Sequence, residues 1–403
     1  MPDDDTIFAR ANAELTYEER PEIYRESLAH LVSGKNVVFQ GPPGTGKTRA
    51  ARLLSRWVCG DDCFKLITAH AELTRYDLVG GYAPDSDGGF TTQPGPLAEI
   101  AHMCQQGLRS DGRPAWLIID ELNRANLDQS FGEIFTLLDP DYRDTKRLQY
   151  GDNSAYLPNS FRIIATMNTY DRAQLFELGY AFRRRFAIVD VGTLLADETS
   201  GSSDEDDIDL PPVPDYGSLR DDIIEDSVIE SLSHVQILFE GTPLSAEEQT
   251  KQSPFGRDAY PIEPSYADAA LVREQLTSIC SDLDHYPDER DFIDVLIQFC
   301  FIAADNDLVE IGQAMVIDAV KFIVAYSLLF PDELDHGTVE QAVTSYILPQ
   351  FDIVMPELRQ AETIGTGNEV IANFNQTVQA ASALGLDAVA SQLREMQATR
   401  GFM

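Results

Sequence analysis

The sequence predicts an α/β domain built on a parallel sheet, followed by a smaller all-helical domain. Three observations carry this. Through the first half of the 403 residues, short apolar runs of strand length alternate with segments of helical periodicity. A glycine-rich loop, Gly41-Pro42-Pro43-Gly44-Thr45-Gly46-Lys47-Thr48, joins the first such run to the helix after it. From residue 216 onward most of the apolar spacing is helical. The expected divisions are 1–192 for the α/β domain, 193–215 for an acidic linker, 216–350 for the helical domain and 351–403 for a helical tail.

In chain order, Glu22 to Val32 reads as a helix with Pro21 in its first turn, where the missing N–H is no loss. Only this lead-in precedes the first strand, so no separate N-terminal targeting domain is expected. Val37-Val38-Phe39 is a buried strand, and Arg49 to Val58 is the helix that follows the loop. The loop fits G-x-x-x-x-G-K-[ST]. Its glycines let backbone N–H groups close round an anion without Cβ clashes, and the helix N-terminus adds a favourable dipole. The eight loop residues and Arg49 are therefore the candidate nucleotide-binding set. Lys47 is expected to reach the β- and γ-phosphates, and the Thr48 hydroxyl to ligate Mg²⁺. Cys63 to Thr68 is a second strand. Residues 74–96, rich in Gly, Pro and Asp with Asp87-Gly88-Gly89 as a turn, read as a functional insertion before Leu97 to Leu108 resumes helical spacing.

Ala115-Trp116-Leu117-Ile118-Ile119-Asp120-Glu121 is the second chemical landmark, an apolar strand running into two acids. Open parallel sheets place ligands at the carboxyl ends of their strands. Asp120 is thus expected to hold Mg²⁺ through water, and Glu121 to orient or deprotonate the attacking water. Phe131 to Leu138 reads as one helix. A hairpin follows, with arms Arg147 to Tyr150 and Ala155 to Leu157 joined by Gly151-Asp152-Asn153. Phe161 to Met167 is the next strand and ends on Asn168, within reach of the γ-phosphate or the water. Ala181-Phe182-Arg183-Arg184-Arg185-Phe186 leads into a last strand ending at Val191. Its three arginines are either a solvated face or the source of an arginine finger to a neighbouring subunit, with Arg184 and Arg185 as candidates. Helices are expected over Ser218 to Leu238, Ala267 to Asp284, Asp288 to Ala304, Gly312 to Leu329 and Thr338 to Leu348. Two more are expected between Glu369 and Ala398.

The formal net charge is −37, spread along the chain, and only six of the 30 basic residues are Lys. An acidic, Lys-poor chain that is still 43% hydrophobic fits a folded protein kept soluble in concentrated salt, as in a halophile's cytoplasm. The competing reading is an acidic surface for partners. Either way, a broad non-specific DNA-binding face is not expected at low salt. Five scattered cysteines show no zinc spacing and read as reduced core residues. The N-terminus lacks a signal pattern, and the longest apolar stretch, Met315 to Phe330, is short for a membrane span and carries Asp318 and Lys321. A cytoplasmic protein without membrane contact is expected.

Taken together, GPPGTGKT, LIIDELNRANLDQSFGEIFTLLD, FRIIATMNTYDR and AFRRRF resemble the AAA+ ATPases of the dynein-related, MoxR and McrB group, with the McrB type the best fit. The likeness covers residues 20–192, with a weaker echo to about 350. It implies a P-loop NTPase fold with a five-stranded parallel sheet between helices, a helical lid and hexameric rings with nucleotide at subunit interfaces. It also implies pore-facing insertions at 80–95 and 147–157. By that resemblance Lys47 and Thr48 are the Walker A pair, Asp120 and Glu121 the Walker B pair, Asn168 the first sensor, and Arg184 or Arg185 the finger acting in trans. Where MoxR relatives carry a second-sensor arginine, this chain has Glu310-Ile311-Gly312-Gln313-Ala314-Met315, and Gln313 has no charge to offer. ATP is the expected nucleotide. GTP stays open because Asn168-Thr169-Tyr170-Asp171 superficially matches a guanine-reading pattern. The functions left open are a motor for a separate effector such as a nuclease subunit, a protein-remodelling chaperone, and a non-hydrolysing switch. Nucleic acid would be met only through a partner.

Overall fold

The computed structural model describes residues 20–86, 88–110, 113–143, 146–168, 180–192, 227, 292–305, 308–330, 333–356, 358 and 368–398. These fall into two compact units, one within residues 20–192 and one made of Ser227 and residues 292–398.

In the first unit, helix α1 (Pro21–Val32) leads into strand β1 (Asn36–Gly41), and helix α2 (Lys47–Cys59) follows the glycine-rich loop. Strand β2 (Phe64–Thr68) and helix α3 (Arg75–Val79) precede a hairpin of β3 (Gly80–Pro84) and β4 (Phe90–Pro94). Helix α4 (Pro96–Ser110) then runs to strand β5 (Trp116–Asp120) and a 3-10 turn at Leu122–Arg124. Short helices α5 (Leu127–Phe131), α6 (Ile134–Leu138) and α7 (Pro140–Arg143) lead to a second hairpin, β6 (Leu148–Tyr150) and β7 (Asn153–Ala155). Strand β8 (Ile163–Asn168), helix α8 (Tyr180–Arg183) and strand β9 (Phe186–Asp190) complete the unit.

Five strands form a wholly parallel sheet in the order β2-β5-β8-β1-β9. Strand alternation divides its side chains between two faces. Leu117, Ile119, Ile163, Ala165 and Met167 turn into a buried cluster shared with α4, α5 and α6. Asp120, Thr166 and Asn168 belong to the other set, and α2 packs across β1, β8 and β5. Asn36 stitches the start of the sheet: its Oδ1 accepts from Ile163 N–H at 2.8 Å and its Nδ2 donates to Arg185 O at 3.0 Å.

Two expectations are corrected. The segment Phe131 to Leu138 is not one helix, because Gly132 takes φ 38 and separates α5 from α6. The second hairpin closes in two residues, Gly151-Asp152, with Tyr150 opposite Asn153 and Leu148 opposite Ala155. Gly151 at φ 55 permits that tight reversal, so Asn153 belongs to the strand instead of the turn.

The second unit contains α9 (Phe292–Asp305), α10 (Gln313–Leu329), α11 (His336–Ala342), α12 (Asn368–Ala383) and α13 (Asp387–Ala398). Regular α turns stop at Ala342, short of the expected Leu348. The chain continues as a wide turn over Val343–Ile347 and a 3-10 turn over Leu348–Ile353. Pro349 accounts for this, since it lacks the N–H that an α turn would use and crowds the preceding carbonyl. Helix α12 packs on α9 and α13. The helices expected over Ser218 to Leu238 and Ala267 to Asp284 lie outside the described residues, apart from Ser227. No described helix is long and apolar enough to cross a membrane.

Candidate active site

The glycine-rich loop leaves the carboxyl end of β1 and enters α2 at Lys47. Gly44 and Gly46 take φ 83 and 86, and a Cβ at either would meet nothing within 4 Å, so the hollow they frame is open. Gly41 is required for a different reason: a Cβ there would lie 2.3 Å from the Val191 carbonyl oxygen. Lys47 is 7% exposed and its Nζ donates to Gly41 O at 2.9 Å and Pro42 O at 2.6 Å. Burial pushes its pKa down, and the nearby carboxylates of Asp120 and Glu121 oppose that shift. A phosphate entering the hollow would supply the anionic partner that two carbonyl oxygens only approximate. Arg49 is exposed on the first turn of α2.

Sheet order brings the remaining groups to the same end. Asp120 ends β5, Asn168 ends β8 directly opposite Gly41, and β8 lies between β5 and β1. Thr48 Oγ1 donates to Asp120 Oδ1 at 2.8 Å. A hydroxyl and a carboxylate meeting beside an anion hollow are hard oxygen donors of the kind Mg²⁺ uses when it arrives with a nucleotide's phosphates. Among the described residues no group of three or more His, Cys, Asp or Glu could cage a metal. The donor set therefore suits a metal carried by the nucleotide.

Glu121 follows Asp120 with φ 56, the one non-glycine residue of positive φ among those described. That conformation costs roughly 1–2 kcal/mol for a residue with a side chain. The strained turn swings the Glu121 carboxylate off the strand axis, where it pairs with Arg124 Nη1 at 2.7 Å. Both side chains are partly exposed, so this pair is weak, about 0–1 kcal/mol, and easily exchanged. Two participants escaped the sequence reading. Arg124 stands three residues past Glu121, a spacing that makes contact ordinary in a helical turn. Thr166 bonds both Asp120 and the Glu121 backbone; its signal was the i, i+2 relation to Asn168 on one strand face.

The arginines are not part of this cluster. Asn36 N–H donates to Arg185 O and Lys35 Nζ to Arg184 O, which places both at the amino end of β1. The loop begins at its carboxyl end, about 16 Å away at ~3.3 Å per residue. The Arg185 guanidinium lies 3.7 Å from Asp139 and donates to Ala181 O at 2.7 Å. Arg184 is exposed, and its guanidinium makes no hydrogen bond or ion pair among the described residues. Gln313 opens α10 in the second unit. Thr169, Tyr170 and Asp171 lie outside the described residues, while Asn168 stands beside the phosphate loop.

With this geometry in place, residues 36–186 match the AAA domain of the dynein-related subfamily. That stretch of the chain is an AAA+ domain of this subfamily. The chain is similar to the EcoKMcrB subunit of the type IV methyl-directed restriction enzyme of Escherichia coli K12, 36% identical over 173 residues, covering 41% of this chain and 37% of that protein. It is also similar to component YdiS of the type II restriction enzyme BsuMI of Bacillus subtilis 168, 29% identical over 195 residues, covering 38% of this chain and 56% of that one. The chain thus spans about a third to a half of these relatives' lengths. A crystal structure of an ATPase candidate from Cytophaga hutchinsonii aligns with 84% of the chain and 86% of its own at 13% identity and a TM-score of 0.45.

Proposed function

We propose that the chain is the motor subunit of a ring-forming, Mg²⁺-dependent ATPase that drives a separate effector, as in restriction systems. The observation that carries the reading is the meeting of Lys47, Thr48, Asp120, Glu121 and Asn168 at one end of the sheet while Arg184 stands at the other. Lys47 and the loop N–H groups hold the β- and γ-phosphates. Mg²⁺, held by Thr48 and through water by Asp120, would draw charge from the phosphate oxygens when bound. Glu121, released from Arg124, accepts a proton from the attacking water, and Asn168 orients that water from the tip of β8. Arg184 cannot reach its own subunit's phosphates. Its exposure, and the lack of a side-chain partner for it among the described residues, favour it over Arg185 as a finger offered to the next subunit, which calls for a closed ring, a hexamer by family likeness.

The restriction-enzyme relatives favour a nuclease-type effector over a protein-remodelling client, and contact with nucleic acid through that effector. The exposed aromatic residues Tyr82 and Phe90 on the β3–β4 hairpin are the surface offered for such coupling. Asn168 sits beside the phosphate loop, which favours ATP over a guanine-reading role for it. The test is steady-state hydrolysis of ATP and GTP in high KCl as a function of protein concentration. A specific rate that climbs with concentration, with ATP preferred, is expected. A flat rate counts against shared sites, and absence of turnover with nucleotide bound counts against hydrolysis by this chain alone.

A further inference from the structure

We infer that Thr166 is a positioning residue for this site: its hydroxyl orients both Asp120 and Glu121, and through Asp120 sets how strongly Mg²⁺ tightens nucleotide binding. The inference rests on the proposed reading of the loop as a Mg²⁺-dependent nucleotide site and deepens it.

Thr166 is 2% exposed on the central strand β8. Its Oγ1 lies 3.0 Å from the Glu121 backbone nitrogen and 2.6 Å from Asp120 Oδ1. A backbone N–H can only donate, so the hydroxyl oxygen accepts there and its own proton points to the carboxylate. The chain of bonds therefore has one direction, from Glu121 N–H to Thr166 to Asp120. Thr48 donates to the same Oδ1 at 2.8 Å. Two hydroxyls, one on α2 and one on β8, converge on one oxygen and restrain the carboxylate from turning. Its second oxygen is left for a donor such as a metal-bound water.

On the other side, the same hydroxyl accepts from the residue whose backbone adopts φ 56. That N–H would otherwise be a partly buried donor without this partner at the bend that directs the Glu121 side chain. One atom thus fixes the plane of the first acid and the departure angle of the second. Thr166→Val keeps the shape and the branching preferred in strands but removes the hydroxyl. Thr166→Ser keeps the hydroxyl and removes a methyl.

The experiment is calorimetric titration of the full chain with a non-hydrolysable ATP analogue, with and without Mg²⁺, on wild type and both variants, alongside ATP turnover and a melting temperature. Thr166→Val should bind the analogue normally without Mg²⁺, yet lose about 10–100-fold of the tightening that Mg²⁺ brings, the range seen when groups orienting metal ligands are removed. Turnover should fall in parallel, and Thr166→Ser should restore both. The inference is overturned if Thr166→Val keeps the wild-type Mg²⁺ effect, if Thr166→Ser loses as much as Thr166→Val, or if Thr166→Val also loses Mg²⁺-free binding. Wild type that gains no affinity from Mg²⁺ would remove the metal reading and this inference with it. Wild type that gains affinity but does not turn over would sink hydrolysis by this chain alone, and the binding titrations would still decide the role of Thr166.

Discussion

Glu121 occupies a backbone conformation that a glycine would adopt more readily, and the strain is matched to its position one residue past the end of β5. A strand residue alternates strictly between faces; the left-handed turn lets Glu121 escape that alternation and point away from the sheet beside Asp120. Because the role proposed for the carboxylate is to accept a proton, and its one salt bridge is partly exposed, Glu121→Gln is expected to bind ATP as wild type does. It should lose about 10²–10⁴ in kcat, the usual contribution of general-base catalysis. Single-turnover assays beside equilibrium binding check this, and normal turnover would remove Glu121 from the mechanism. A second residue-scale prediction concerns thiols. Burial raises the pKa of Cys59 well above its ordinary value, that of Cys104 to about 11 and that of Cys300 to about 12. At neutral pH these three are protonated and inaccessible, whereas Cys63 is partly exposed. Maleimide treatment of the native protein followed by peptide mass mapping should find Cys63 labelled well before the other three.

At the scale of elements, the phosphate loop shows why its glycines are not equivalent. Gly41→Ala would drive a methyl into the Val191 carbonyl at 2.3 Å, where β1 and the chain leaving β9 are in contact. Gly44→Ala meets open space and suffers only the backbone penalty of φ 83, roughly 1–2 kcal/mol. Thermal unfolding should therefore show Gly41→Ala the more destabilised of the two, while nucleotide binding suffers in both. The two hairpins form a second coupled element. Tyr82 Oη donates to Asp152 Oδ1 at 2.7 Å, Arg75 Nη2 donates to Gln149 O at 2.8 Å, and a Cβ on Gly151 would lie 2.7 Å from Thr92 Oγ1. The glycine-rich stretch 74–96 was legible as an insertion from its composition. Its docking against β6–β7 was not, because a contact between segments some 60 to 75 residues apart leaves no trace in local periodicity. For the same reason Gly132 inside a helical pattern looked tolerable. Only the packed chain reveals that it takes φ 38 and breaks the helix.

Across the whole molecule, a parallel sheet has two unlike ends, and the candidate catalytic groups divide between them. The phosphate loop, Asp120, Glu121 and Asn168 share the carboxyl ends, while Arg184 and Arg185 stand at the amino ends of β1 and β9. If the finger acts in trans as proposed, mixing Lys47→Ala with Arg184→Ala protein should restore part of the ATPase activity, since the intact Arg184 of the first variant would serve the intact loop of the second. No recovery at any ratio would remove the finger role. Arg185→Ala should instead lower the melting temperature, because Arg185 is engaged with Asp139 and Ala181 in its own chain. A net charge of −37 makes self-repulsion a global term that added salt screens, with a Debye length near 3 Å at 1 M. The melting temperature is expected to rise between low and molar KCl, and a flat response would argue against the salt-adapted reading.

What the sequence determined by itself was the set of strands, the phosphate loop and the acids of the second landmark. Each is written in residues adjacent along the chain, where spacing and side-chain type act directly on the backbone. GPPGTGKT between Phe39 and Arg49, and LIID running into Glu121, need no distant partner to be read. What only the tertiary structure decided was how separate strands share one oxygen and one edge. The order β2-β5-β8-β1-β9 sets Thr166 between Asp120 and the Glu121 backbone, puts Asn168 opposite Gly41, and sends Arg184 and Arg185 to the far end, where Arg185 is held by Asp139. Those relations arise from parallel pairing between residues 46 to 150 positions apart, and pairing of that range is settled by packing the whole sheet at once.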